Sequence, residues 1–127
     1  MSLFKGINVV SYNVTDWERA KKFYKDTLEL GPVAFLADEA GWMEFGGQHE
    51  AHIAINRWEG PDPVPPKNGG ATVVLTVDDP HKVVAELRKR GVKCDDPETI
   101  PGMVTYATFY DPEGNRLQMA GSQAPPA

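Results

Sequence analysis

Three histidines, a scatter of carboxylates and one arginine beside a glutamine are the groups of this 127-residue chain best able to do chemistry. His49, Glu50 and His52 crowd into four positions, a density that invites a metal reading. On one strand, however, residues three apart point to opposite faces, so His49 and His52 do not form a ready ligand pair. His52 can act as a general base if a carboxylate orients its ring, and Glu44 is the candidate partner. Arg116 can grip a carboxylate or another anionic group as a fork. Trp42 and Tyr106 can stack on an aromatic or cationic ligand, although core packing uses the same residue types. His81 falls in the first turn of a predicted helix and is expected at the surface. The chain has no G-x-S-x-G elbow and no glycine loop of the kind that cradles phosphates, and Cys94 is its lone cysteine. These groups are the parts of a binding site and do not by themselves make a mechanism.

The elements that must position them come in two similar rounds. The first opens with Ile7-Asn8-Val9-Val10-Ser11-Tyr12-Asn13-Val14-Thr15-Asp16, and the second with Ala71-Thr72-Val73-Val74-Leu75-Thr76-Val77-Asp78-Asp79. Each runs strand, acidic helix start, amphipathic helix, then strands, the mark of an internal duplication. In the first round, Thr15 and Glu18 are spaced as a capping box. Trp17, Ala20, Phe23, Tyr24 and Leu28 follow as an apolar stripe, and Gly31-Pro32 ends the helix. Strands are expected at Val33 to Leu36, at Trp42 to Phe45 and from about Ala51 to Arg57. In the second round Asp79 caps a helix with Pro80 at its first position, and Gly91 ends it. Strands then run near Val92 to Asp95, from about Met103 to Tyr110, and over Arg116 to Ala120 after the turn Asp111-Pro112-Glu113-Gly114-Asn115. The expected fold is α+β, a single domain over 1–127 in which two βαβββ modules, about 4–57 and 70–121, flank a Pro/Gly linker at 58–69. The tail 122–127 is expected to fray.

Strand parity separates two faces. Val10, Tyr12, Val14, Ile53, Ile55, Val73, Leu75, Val77, Leu117 and Met119 form an apolar set that the two helices must cover from the outer side. The opposite set mixes polar with small side chains, and no helix is left to cover it. Curved mixed sheets would make it the lining of a cup, which is what a small-molecule site requires. The predicted pocket residues are Trp42, Glu44, His52, Tyr106, Arg116 and Gln118, over a floor of Val9, Ala54 and Thr72.

The bulk numbers exclude several classes. Hydrophobic residues at 41% and charged ones at 24% are ordinary for a globular domain. A net charge of −5 argues against nucleic-acid binding, since the local basic run Arg88-Lys89-Arg90 ends a helix and suits its dipole. No apolar run reaches the ~20 residues needed to span a membrane, and no signal-peptide core opens the chain. The expectation is a cytoplasmic protein.

Three motifs in order resemble the vicinal oxygen chelate superfamily of glyoxalases, bleomycin-resistance proteins and extradiol dioxygenases. They are Val14-Thr15-Asp16 leading to Lys22-Phe23-Tyr24 and Leu28-Glu29-Leu30-Gly31, then Val77-Asp78-Asp79-Pro80, then Phe109 through Gln118 across the late Asp-Pro-acidic-Gly-Asn turn. The resemblance implies paired βαβββ modules and a homodimer, and fold alone names no activity. Its enzymes usually hold one divalent metal with His, Gln or Glu on the first and last strands of each module. Carried over, those positions fall on Val9, Ala54, Thr72 and Gln118. Only Gln118 offers a donor of the right kind, against the three protein ligands a catalytic metal normally wants. The resemblance therefore implies a metal-independent, cofactor-free protein that binds a small organic molecule, nearest to the antibiotic-sequestering branch, where negative charge suits a cationic ligand. The rival expectation is a divalent-metal-dependent lyase, isomerase or dioxygenase with a rearranged site at His52. A third is an interaction module that docks a partner on the polar face.

Overall fold

A computed structural model describes residues 3, 7–59, 72–102 and 104–121. The chain divides into two compact units, residues 1–65 and 66–127. Most of the expected linker and all of the tail lie outside the described residues.

In the first unit, β1 (Val9–Val14) leads to α1 (Trp17–Lys22), a π-helical turn over Phe23–Thr27, and strands β2 (Val33–Ala37), β3 (Trp42–Phe45) and β4 (His52–Arg57). The sheet order is β1-β4-β3-β2, with β1 parallel to β4 and the other pairs antiparallel. In the second unit, β5 (Val73–Thr76) leads to α2 (Pro80–Lys89), then β6 (Lys93–Cys94), β7 (Glu98–Ile100), β8 (Val104–Tyr110) and β9 (Arg116–Gly121). Its order is β5-β9-β8-β6, with β5 parallel to β9, and β7 pairs with the early part of β8. The duplication is thus realised in topology: in both units the first and last strands are parallel neighbours at the same place in the sheet.

Burial follows the expected parity except at Ala54, which is fully buried although it lies on the opposite face. Val14, Met43, Phe45, Ile53 and Ile55 are buried in the first unit, and Leu117, Met119, Ala107 and Phe109 in the second. Trp17, Ala20, Phe23 and Tyr24 close the first core, where the Tyr24 ring stacks on Phe45 at 6.3 Å and meets Phe23 edge-on at 5.3 Å. Val84 and Leu87 of α2 close the second.

Two local expectations are corrected. Asp16, not Thr15, is the N-cap of α1: it holds extended backbone, and its carboxylate accepts from the Arg19 amide at 3.2 Å. A carboxylate there satisfies a free donor and complements the positive helix end, which a hydroxyl does only in part. The helix also does not run regularly to Leu28, because the Leu28 amide reaches back five residues to Phe23. The wider turn keeps Phe23 and Tyr24 buried side by side. Strand β7 was not expected. Its residues Glu98-Thr99-Ile100 are exposed, so no burial pattern marks it; cross-strand pairing with β8 makes it, including a 2.9 Å contact between the hydroxyls of Thr99 and Thr105.

Candidate functional site

On the sheet face opposite α1, β3 presents Trp42 and Glu44 and β4 presents His52, Ala54 and Asn56, with Val9, Ser11 and Asn13 beside them on β1. The predicted residues of the first unit therefore share one face. Trp42 Nε1 donates to Glu44 Oε2 at 2.8 Å, and His52 Nδ1 lies 2.9 Å from Glu44 Oε1. The other ring nitrogen of His52, Nε2, lies 3.0 Å from the Gly47 carbonyl. A carboxylate and a carbonyl only accept, so this geometry is satisfied at both ends only in the imidazolium form, with both ring nitrogens donating. The acidities agree: hydrogen bonds from Trp42 and then His52 hold the Glu44 carboxyl below its ordinary range. Bonding to Glu44 first, and then to Gly47, raises the His52 ring above its ordinary value. The expected Glu44 pairing is present, yet a ring with both nitrogens donating has no lone pair for base catalysis or for a metal.

The backbone makes room for this arrangement. Gly46 has φ +146, and a Cβ on it would stand 2.5 Å from Cδ2 of His52. Just beyond, Gly47 and Glu50 close a turn in which the Gly47 amide donates to Glu50 Oε1 at 3.1 Å. His49 sits exposed in that turn with φ 67. Ile7, Asn8, Glu44, Gln48, His49, Glu50, Ala51 and His52 line an open depression of about 680 Å³. Of the predicted residues only Glu44 and His52 border it. Half of its wall comes from the β3–β4 turn, and sequence parity missed this because parity says nothing about loops.

The second unit places Arg116 and Gln118 of β9 on one face with Tyr106, Thr108 and Tyr110 of β8. The Arg116 guanidinium donates through Nε and Nη2 to Thr72 Oγ1 at 3.1 and 2.7 Å. Gln118 Nε2 donates to Thr108 Oγ1 at 3.0 Å. Tyr106 donates its hydroxyl to Glu98, and Tyr110 donates to Asp95 at 2.9 Å. Hydrogen bonds to these carboxylates hold both phenols' protons more tightly, so each titrates above the ordinary tyrosine value. Because the two units share a register, the predicted residues pair by position: Val9 with Thr72, His52 with Arg116, Ala54 with Gln118, and Trp42 with Tyr106. Glu44 pairs with Thr108, a residue the sequence reading did not select, and aligning the two halves strand by strand would have found it.

The donor set does not suit the superfamily's divalent ion. Val9, Ala54 and Thr72 stand at three of the four carried-over positions, and the fourth, Gln118, gives its amide to Thr108. Among the described residues no three His, Cys, Asp or Glu side chains are grouped to hold a metal. No described helix is long and apolar enough to cross a membrane.

The family model of the Glyoxalase/Bleomycin resistance protein/Dioxygenase superfamily matches residues 6–119. The chain belongs to this superfamily. Among solved structures it is similar to TnmS3, an antibiotic binding protein from Streptomyces sp. CB03234, at 26% identity and a TM-score of 0.77, covering 97% of this chain and 100% of that one. A glyoxalase/bleomycin resistance protein from the same organism shares 28% identity at a TM-score of 0.70, with coverages of 90% and 98%. Fosfomycin resistance protein FosX from Mesorhizobium loti, at 15% identity and a TM-score of 0.66 over 95% of each chain, shares the fold. No curated protein sequence matches.

Proposed function

We propose that this protein binds a small organic molecule of the antibiotic or metabolite type without a metal ion. The observation that carries the reading is the state of His52 and Glu44. This acid–base pair borders the depression and is spent on itself, on Trp42 and on Gly47. Apolar or neutral side chains occupy the positions where relatives would hold a metal. What remains is a surface of oriented donors and acceptors beside Trp42, suited to hydrogen bonding and stacking. Arg116, Gln118, Tyr106 and Thr72 are proposed as contacts on the second unit's own sheet face, and Val9 as apolar floor in the first, where Ala54 is fully buried. The likeness to TnmS3 supports the ligand class, and family resemblance supports a homodimer.

The test has two arms. Protein equilibrated with Mn, Fe, Ni and Zn and then dialysed is expected to retain far less than one metal per chain by mass spectrometry. A thermal-shift screen of small aromatic and cationic compounds is expected to yield stabilising hits, worth about 2.7 kcal/mol at a hundredfold excess over Kd. Stoichiometric metal lost on His52→Ala would instead establish the metal-dependent reading. One geometric feature favours that second reading: a carboxylate on Nδ1 is how metal-ligating histidines are commonly oriented.

A further inference from the structure

The loop that walls the depression is held by backbone bonds at its two ends and by one side chain of the sheet between them. Residues 46–51 connect β3 to β4, and four of the eight lining residues, Gln48, His49, Glu50 and Ala51, belong to it. Its start is pinned where the Gly46 amide donates to the Pro32 carbonyl at 2.9 Å, and its end where the His52 amide donates to the Asn8 carbonyl at 2.9 Å. Between these points, the side-chain bond that reaches the loop from the sheet is His52 Nε2 to Gly47 O. Within the loop, the Glu50 amide lies a long 3.4 Å from the same carbonyl, and Glu50 Oε1 accepts from the Gly47 amide.

We propose that His52 is a proton-operated latch that holds this wall in place, so that the site is formed when the ring is doubly protonated and loosens when it is not. The inference rests on reading the depression as the ligand site. A neutral imidazole has one N–H and one lone pair. The remaining proton stays on Nδ1, where it faces a carboxylate with formal charge. Nε2 then turns a lone pair toward the Gly47 carbonyl, and two acceptors 3.0 Å apart repel. The loop must move, since the sheet fixes the ring from below. The charged and titratable groups facing the ring are few. β3 supplies Glu44, bonded also to Trp42, and the loop supplies Glu50, with His49 on the same wall. The chain before β1 supplies Asn8, β1 supplies Val9, and β4 itself Ala54, none of which titrates. Both carboxylates favour the cation, and it is the ring's own proton that decides.

The sign follows from proton counting. The latched loop binds one proton more than the released loop, in which Glu44 still holds Nδ1, so latching is lost as pH rises from the midpoint of the released ring to the higher midpoint of the closed form. Each pH unit between the two midpoints is worth about tenfold in the closing equilibrium.

The experiment uses ligand-free full-length protein. NMR follows the His52 ring signals, assigned with His49→Ala and His81→Ala, alongside hydrogen-exchange protection factors for the amides of residues 47–51 as pH is raised. Protection factors are used because they divide out intrinsic base catalysis. Protection of the loop is expected to fall about tenfold or more with the His52 midpoint, while β4 amides keep theirs. Glu44→Gln is expected to move both midpoints together to lower pH. His52→Gln, neutral at all these pH values, is expected to remove the pH dependence. Loop protection that ignores the His52 titration, or a fall that persists in His52→Gln, overturns the latch. Either result leaves the small-molecule reading intact, because that reading falls only if a screen run below the transition finds no stabilising compound.

Discussion

At the scale of single residues, the site depends on what is missing as much as on what is present. His52 reaches both Glu44 and Gly47 because Gly46 leaves the space beneath its ring empty. Gly46→Ala would set a methyl 2.5 Å from Cδ2 of His52 at a backbone angle, φ +146, that side chains rarely adopt. The expected outcome is a loss of about 1–3 kcal/mol in urea-monitored stability. His52 should also return toward an ordinary titration, since its ring is pushed off its two acceptors. A stability loss without any change in the His52 midpoint would show that strain alone is at work. Much of this constellation was legible in the sequence. The pairing of His52 with Glu44 follows from strand parity, because both positions face the same way on neighbouring strands. The second acceptor was hidden, because it is a backbone carbonyl in a turn, and side-chain patterns carry no record of where a carbonyl points. That carbonyl adds to Glu44 in raising the ring's value and occupies the nitrogen that Glu44 leaves over.

At the scale of elements, the boundaries are set by short polar contacts, which sequence reading places to within a residue or so. Thr15 and Glu18 have capping-box spacing, yet Asp16 takes the cap because its carboxylate reaches the Arg19 amide. Asp16→Ala is therefore expected to cost about 1 kcal/mol, and Thr15→Ala clearly less, by thermal or chemical unfolding. The late hairpin was read correctly from Asp111-Pro112-Glu113-Gly114-Asn115, and the structure shows why those residues make it. The buried Asp111 accepts from the amides of Glu113 and Asn115 through Oδ1, and from the Asn115 side chain through Oδ2. Asp111→Asn would keep the first two bonds but set one amide group against another at the third. A loss of about 1–3 kcal/mol is expected. Asn115→Asp added to it should recover much of that loss by restoring a donor–acceptor pair. Failure of the double variant to recover stability would place the cost in the backbone bonds instead. The π-helical turn and β7 escaped the sequence for a common reason. Each is defined by its hydrogen-bonding partner and not by burial, and periodicity reports burial alone.

At the scale of the whole molecule, duplication gave the two units one register and let them diverge in chemistry. The first unit carries an acid and a histidine where the second carries Thr108 and Arg116. The topology was legible because each half must bury one apolar sheet face under one helix, and that demand writes the same pattern twice. The divergence has a consequence for stability against pH. Glu44 and Asp38 are held below 4.5 and 3.8, Glu44 by Trp42 and then His52, and Asp38 by Lys21 and then Trp17. Their contributions are complete above those values and vanish as pH falls through the lowered ones. His52 is raised above 6.5 by Glu44, so its contribution is complete below 6.5 and vanishes as pH rises through the raised value. Cys94, raised by burial, and Tyr106 and Tyr110, raised by their carboxylates, add further losses beyond their ordinary values of 9.0 and 10.0. Maximum stability is therefore expected between about pH 4.5 and 6.5, on the acid side of neutrality, by denaturant unfolding at a series of pH values. Lys21 and Asp38 meet at the surface at 2.7 Å, so salt should weaken their share of the acid limb. Glu44 and His52, with side chains only 20% and 22% exposed, should hold theirs better. In His52→Gln the first fall on the alkaline side should disappear while the one from the thiol and phenols remains. A curve flat from pH 6 to 8 in the wild type would mean that the Glu44–His52 pair adds nothing to the fold.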